Sequence, residues 1–435
     1  MCRLLLHHSE SFVKVKILQF WKNASIVLLG TLAYQVMPLL VLPVFTRLLT
    51  PEDLGFYFTW LGAVVVGAVA LTLRLDMAVL QAKSGSDVVR IVKATVTVNL
   101  VFAITAVLTL LLIFSADKYF QTQLLSSMRY VYVGLAIVAT FANAINLLVN
   151  SALVWSANFK KQALYKLYLG GALSSSQLLM VYLFESAIGL SLAYALSSSL
   201  VSLFLMREVG LKFSDFSYFN DLKETLVVLR EQRAFVLVSM PAALINMLSH
   251  YAPLFLLSLK IGTVASGQYG LMHKTLSAPL GLIGGAILSV FREESSRSYR
   301  ELGNCEDSYL YTARSLFFIA LFPFLIIFLF GKELFEFVFG SAWGDAGEIA
   351  EILAPAFLIR FVASPLSYMF FLANRQLWDL SWQITLFLFT ILVFYLSPSL
   401  YSAILWYSIG SFVLYGVSLI LSYMIARGLT ILGHS

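Results

Sequence analysis

Apolar residues run along this chain in stretches of about 20, long enough for a helix to cross a bilayer hydrocarbon core, with short polar breaks between them. Twelve stretches stand out, at approximately 24–46, 54–73, 94–114, 130–153, 165–184, 188–206, 234–257, 267–290, 315–331, 346–372, 378–397 and 401–425. The short alternating segments of a membrane β-barrel are absent. The pattern predicts an all-α polytopic membrane protein with about 12 transmembrane helices.

The breaks carry capping chemistry. In LPVFTRLLTPEDLGFYFTW (42–60), Thr50 fits an N-cap, Pro51 the first helical position and Asp53 the third-position partner of a capping box. The pattern then recurs. GFY at 55–57 opens the second span and GQY at 267–269 the eighth. Ala157-Asn158 follows the fourth span and Ala373-Asn374 the tenth. Two recurrences at nearly one offset predict two six-helix bundles related by a parallel internal repeat. The resulting division is a tail with an interfacial helix (1–23), a first bundle (24–206), a cytoplasmic linker (207–233), a second bundle (234–427) and a tail (428–435). Residues 1–11 differ in composition from the rest of the chain and read as a loose tail or an upstream start artefact.

Composition agrees: the 435 residues are 60% hydrophobic and only 12% charged, against about a quarter charged in a soluble domain. The net charge of +6 does not point to nucleic acid, because in membrane proteins the placement of Lys and Arg matters more than their sum. With the N-terminus inside, 22 of the 29 Lys and Arg residues fall in cytoplasmic segments. Outward connections hold few, Arg47, Lys118, Lys260 and Lys332 among them. Both termini are therefore expected in the cytoplasm. Cys2 and Cys305 fall in cytoplasmic segments, where free thiols are expected. No secretory signal peptide is expected. No loop is long enough for an external catalytic domain, and no P-loop, HExxH, CxxC or dinucleotide fingerprint occurs. An enzyme or an ATP-driven pump is not expected.

Charge at membrane depth is costly, so each deep ionisable residue is a functional candidate. Lys274 lies seven residues past Gly267, roughly 10 Å along a helix, and Pro279 beyond it is expected to kink that helix. Arg360 lies 14 residues past Ala346, roughly 21 Å along. Both suit an anionic ligand. His273 and His250 read as satisfied polar residues. Asn143, Asn146 and Asn150 share one helix face, which suits interhelical bonding or a ligand-facing wall. Arg47 ends the first span near the outer rim, as a snorkelling or acid-paired residue or as an anion contact. Arg74 and Asp76 are candidates for an ion pair or an inner gate. Asp76, Glu348, Glu351 and Asp379 lie near span ends and are candidates for proton or sodium coupling.

With LPVFTRLLTPEDLGFY (42–57), LRLDMAV (73–79), SGQYGLMHKTLSAPLGLIGGAILSVF (266–291) and VFGSAWGDAGEIAEILAP (338–355), the chain resembles the polysaccharide flippase family. That family belongs to the multidrug/oligosaccharidyl-lipid/polysaccharide exporter superfamily. The resemblance runs from about residue 20 to 427. It implies two rocking six-helix bundles in the bacterial inner membrane. The cargo it implies is an oligosaccharide on a polyprenyl diphosphate, turned outward for O-antigen, lipopolysaccharide, capsule or exopolysaccharide synthesis. Lys274 and Arg360 would meet the diphosphate. It implies no cofactor beyond a proton or sodium gradient, and as partners membrane lipids and other polysaccharide-assembly proteins. A cation-coupled drug exporter would want a deep acid in the first half, which spans one to four lack between their ends. A membrane polymerase or ligase would want a large external loop.

Overall fold

The structure, a computed structural model, describes residues 29–120, 127–208 and 222–428. The expected interfacial helix at 12–22, the linker over 209–221 and the last tail residues lie outside the described residues. Among these residues the fold is helical, with no strand and 12 helices long and apolar enough to cross a membrane. The chain begins with α1 (Leu29–Leu48), α2 (Pro51–Thr72), a short α3 (Leu75–Leu80), α4 (Gly85–Phe120) and α5 (Ser127–Trp155). Next come α6 (Phe159–Phe184), α7 (Ala187–Glu208) and α8 (Leu222–Glu231). A π turn (Phe235–Ser239) leads into α9 (Met240–Lys260), α10 (Thr263–Leu302) and α11 (Glu306–Phe339). After them come α12 (Gly344–Leu366), α13 (Tyr368–Leu372), α14 (Gln376–Leu396) and α15 (Leu400–Ala426).

Several helices outrun their apolar stretches. α10 has 40 residues, about 60 Å at 1.5 Å per residue, twice the hydrocarbon thickness. Its charged end, REESSRSYRE, is helical beyond the expected limit at 290. It continues as one helix through Pro279, whereas the non-helical break falls at Phe330 within α11. The second span is cut at its end. Leu73 and Arg74 adopt left-handed backbone conformations, φ 49° and 59°, which no glycine announces.

Compactness separates two units whose limits fall inside helices. Of the described residues, those within 1–40, 67–179 and 192–240 form unit 1 and those within 41–66, 180–191 and 241–435 form unit 2. This differs from a cut at the linker, and a glycine contact explains why 41–66 joins the second group. Gly55 of α2 and Gly267 of α10 cross backbone to backbone. A Cβ on Gly55 would collide with the Thr263 carbonyl and lie 2.7 Å from the Gly267 nitrogen; one on Gly267 would collide with the Pro51 carbonyl. These are the same glycines that open the repeated GFY and GQY. The other repeated pair sits at helix ends of the same type, displaced by one residue. Asn158 N–H bonds the Leu153 carbonyl at 3.0 Å and Arg375 N–H bonds the Phe370 carbonyl at 2.7 Å, each closing a helix end around a left-handed residue, Ala157 or Asn374.

Within unit 1, α3, α4 and α5 bury Leu75, Val79, Ile91, Val92, Leu148 and Ala152, with Val228 of α8 in the same cluster. Arg90 fixes α8 there through Glu231, at 2.9 and 3.2 Å, and Glu224, at 3.1 Å. Within unit 2, α11 and α12 meet where Gly331 faces Gly347. A Cβ on Gly347 would lie 2.5 Å from the Gly331 carbonyl oxygen and that on Gly331 2.8 Å from the Gly347 one.

Candidate functional site

The site residues of unit 2 depend on how α10 and α12 start. The last turn of α9 ends with Ile261 and Gly262 both donating to the Leu257 carbonyl at 2.9 Å. Gly262, at φ 125°, then swings the chain into α10. Gly340, at φ 104°, similarly admits the turn Ser341–Trp343 before α12. Gln268 ties the two starts together. Its amide nitrogen donates to Ala342 O at 2.9 Å, and its oxygen accepts from Ala346 N at 3.0 Å. Trp343 is fully buried and donates its indole N–H to Thr46 O at 2.9 Å, a carbonyl in the last turn of α1.

From these anchors, α12 carries Arg360 to near the middle of the 32-residue span Ser341–Leu372. The guanidinium donates to His250 Nδ1 at 2.8 Å. Arginine has no acceptor, so His250 takes this bond as a neutral ring with its proton on Nε2. Phe357 and Tyr415 lie 5.6 and 6.0 Å from the guanidinium carbon, within cation–π range. Phe357 also meets His273 edge-on at 6.2 Å, and His273 stacks on Tyr269 at 5.7 Å. Trp382 backs Tyr415 at 4.9 Å. Lys274 faces other surroundings. Its ammonium lies 5.7 Å from the Phe58 ring, which packs over Gly270 one turn earlier. Among the described residues neither cation has a carboxylate partner. Arg360 thus has one neutral acceptor for five N–H groups, an arrangement suited to bidentate capture of a phosphate or carboxylate.

The remaining candidates occupy helix ends and interfaces. Thr50 and Asp53 form the expected capping box: Thr50 Oγ1 donates to Asp53 Oδ2 at 2.6 Å and accepts from Asp53 N at 3.2 Å. Arg47 is exposed and donates to Pro43 O at 3.0 Å. Glu348 accepts from Lys332 Nζ at 2.6 Å and Tyr401 at 2.8 Å; Glu351 accepts from Lys332 N at 2.8 Å. Asp379 accepts from Gln383 at 2.6 Å, and Gln383 in turn from Asn246 at 3.3 Å. In unit 1, Asp76 is 3% exposed and lies 3.8 Å from Arg74, just past the left-handed break. Asn146 accepts from Ser202 Oγ at 2.9 Å and Asn150 from Gln162 at 3.1 Å, so both bridge helices. Asn143 is half-buried. Cys305 is a free, buried thiol, and burial pushes its pKa up to about 11.

Sequence reasoning missed the surroundings of Arg360. His250, Tyr269 and Tyr415 come from three other helices, and no local pattern connects them. It also missed Asn99, fully buried on α4 with neither side-chain amide atom bonded among the described residues.

Twelve long apolar helices define a multi-pass membrane protein, and its half-buried Arg360 has no carboxylate partner among the described residues. The sequence pattern of the polysaccharide biosynthesis protein family matches residues 44–348, and the chain belongs to that family. No curated protein matches it. Among solved structures it is similar to an inward-facing multidrug resistance transporter of the MATE family, in the MOP superfamily. That match has 18% identity and a TM-score of 0.67, over 90% of this chain and 94% of the other. An outward-facing transporter of the same family has 18% identity and a TM-score of 0.64, over 92% and 94%. A MOP superfamily transporter from Pyrococcus furiosus Vc1 has 18% identity and a TM-score of 0.62, also over 92% and 94%. These likenesses establish the fold, and the family match the connection to polysaccharide synthesis.

Proposed function

We propose that the protein carries an oligosaccharide on a polyprenyl diphosphate from the cytoplasmic to the outer leaflet of a bacterial inner membrane, by alternating access. One observation carries the reading: Arg360, deep in α12, has a neutral histidine and aromatic rings as neighbours in place of a carboxylate. Such a cation is costly in a membrane unless an anion visits it. A diphosphate supplies that anion, and the tyrosines and tryptophan beside it suit sugar hydroxyls and ring faces. Lys274 is a second cation on the path. Arg47 at the rim and Asn143 in unit 1 are weaker cargo contacts. Asn146 and Asn150 serve the helix packing first.

Transport would draw on a proton or sodium gradient. Asp379 and Asp76 are the carboxylates to examine, because Glu348 and Glu351 already hold the α11–α12 junction. Both termini would lie in the cytoplasm, and the partners would be membrane lipids and other polysaccharide-assembly proteins. No nucleic acid or resident cofactor enters this reading, nor does catalysis.

The test is complementation of a flippase-deficient strain with Lys274→Ala and Arg360→Ala. The expected result is loss of surface polysaccharide for Arg360→Ala and a marked reduction for Lys274→Ala. Normal surface polysaccharide from both, at normal protein level, overturns the reading.

A further inference from the structure

Unit 1 carries two adjoining concavities along one face of α6. The first, about 420 Å³, lies against α1 and is lined by Leu29, Gly30, Lys160, Ala163 and Leu164. The second, about 560 Å³, reaches α7 and is lined by Tyr168, Gly171, Leu200 and Phe204. Leu167 lines both. From Lys160 to Ala172 the groove follows α6 for about 18 Å at the helical rise. Its walls are mainly apolar, and its one cationic lining residue, Lys160, stands at the start of α6, the end assigned to the cytoplasm by the Lys and Arg bias.

The glycines explain how the groove is built. Gly30 and Gly170 let α1 and α6 approach: a Cβ on Gly30 would lie 2.6 Å from Ala163 Cα, and one on Gly170 2.9 Å from Tyr34 Cα. Gly171 differs. It sits within a helix without the left-handed backbone that needs glycine, and nothing lies within 4 Å of where its Cβ would be. Glycine there weakens the helix relative to alanine and relieves no clash. Its effect is to keep the groove floor deep.

We propose that this groove holds the isoprenoid tail of the polyprenyl-linked cargo, with Lys160 meeting the lipid phosphate at the groove's cytoplasmic end. The proposal rests on the flippase reading and adds to it where the lipid half of the cargo runs. A long hydrocarbon chain matches the mainly apolar walls of two concavities that adjoin at Leu167. A single cation at one end matches a lipid whose charge is confined to one end. The maintained depth at Gly171 fits a bound chain, which ordinary lipid contact with a convex helix surface does not require.

The test uses the full-length protein in lipid nanodiscs with two photoreactive probes, a polyprenyl phosphate tagged along its tail and a phosphatidylglycerol tagged on its acyl chain. Crosslinked peptides are located by mass spectrometry. The polyprenyl probe is expected to label residues 160–172 in preference to the phospholipid. Gly171→Leu should fill the floor and abolish that labelling. Lys160→Gln should weaken it about tenfold, the loss of one charge-assisted contact. Gly171→Ala controls for folding and should melt at or above the wild-type temperature. Equal labelling by both probes, or α6 crosslinks to residues 1–28 or to a second copy in place of the lipid, overturns the proposal. If Gly171→Leu transports normally while Arg360→Ala does not, the groove assignment fails and the flippase reading stands. If Arg360→Ala and Lys274→Ala both transport normally and the polyprenyl probe labels nowhere, the flippase reading itself fails.

Discussion

The two compact units differ in where their charged side chains lie. In unit 1 the polar side chains near the helix interfaces are mainly neutral and several bond across helices, Asn146 with Ser202, Asn150 with Gln162 and Ser176 with Ser197, while the one half-buried cation of α6, Lys166, donates to Thr31 at 2.8 Å. Its most buried carboxylate, Asp76, has Arg74 beside it. In unit 2 the ion pairs stay near helix ends, at Lys332–Glu348 and Arg427–Glu306. The deep cations there have neutral neighbours. Polar groups that bond across helices hold the helices together; a cation left with neutral neighbours is available to a ligand. The difference teaches which polar residues to associate with packing and which with cargo.

The contrast depends on residues 41–66 belonging with unit 2, and the largest expected effect tests that. Gly55→Val or Gly267→Val would drive a side chain into a backbone carbonyl across the α2–α10 crossing. Backbone cannot yield as a flexible side chain can, so each should cost about 3 kcal/mol or more and sharply reduce folded protein in the membrane. Gly134→Val, where nothing lies within 4 Å of the added Cβ, should accumulate normally. Membrane-fraction immunoblots and thermal melts of the purified protein measure both. Equal accumulation of all three variants would show that the crossing does not fasten 41–66.

The next test contrasts the two kinds of buried polarity by the sign of a stability change. Arg360→Met removes a half-buried charge that has no counter-charge, which should stabilise the protein by about 1–3 kcal/mol while abolishing transport. Asn146→Ala removes the side-chain bond between α5 and α7, while Ser202 keeps the Ala142 and Ser198 carbonyls as acceptors. The substitution should destabilise by about 0.5–1.5 kcal/mol, the net loss of one hydrogen bond, and leave per-molecule transport near wild type. Melting temperature paired with transport per folded molecule reads both. The same sign for both variants would mean that Arg360 is a structural residue like Asn146.

How far the sequence reveals this division depends on distance along the chain. TPED is local chemistry, so the capping box at Thr50 and Asp53 is legible from four letters. Arg360 is legible as a charge inside an apolar run, but its neighbours His250 and Tyr415 lie on α9 and α15, where nothing nearby points to them. The asparagine face of α5 is legible as spacing; spacing does not tell whether that face meets a helix or a ligand, and Asn146 and Asn150 meet helices. The Gly55–Gly267 contact shows in sequence only as a repeat. That the repeated elements touch is a tertiary fact. The break at Leu73 and Arg74 gives no sign, because ordinary residues occupy a conformation usually left to glycine or asparagine.

The smallest effects test the shallow end of unit 2. Asp53→Ala removes the two bonds its carboxylate accepts from Thr50 N and Oγ1, keeps the bond from its own N–H to Thr50 Oγ1, and should cost up to about 1 kcal/mol, visible as a modest drop in melting temperature with transport retained. Arg47→Gln should do less still. Arg47 is exposed, and its guanidinium bonds Pro43 O within its own helix end. Losing an exposed contact of that kind falls within about 0.5 kcal/mol, so melting should not shift measurably and surface polysaccharide should stay normal. Arg47 and Arg360 are the same residue in one compact unit, so the pair separates charge from placement. A transport loss in Arg47→Gln comparable to that of Arg360→Ala would mean that the cargo path engages the rim as strongly as the deep site, and depth would no longer distinguish cargo residues from the rest.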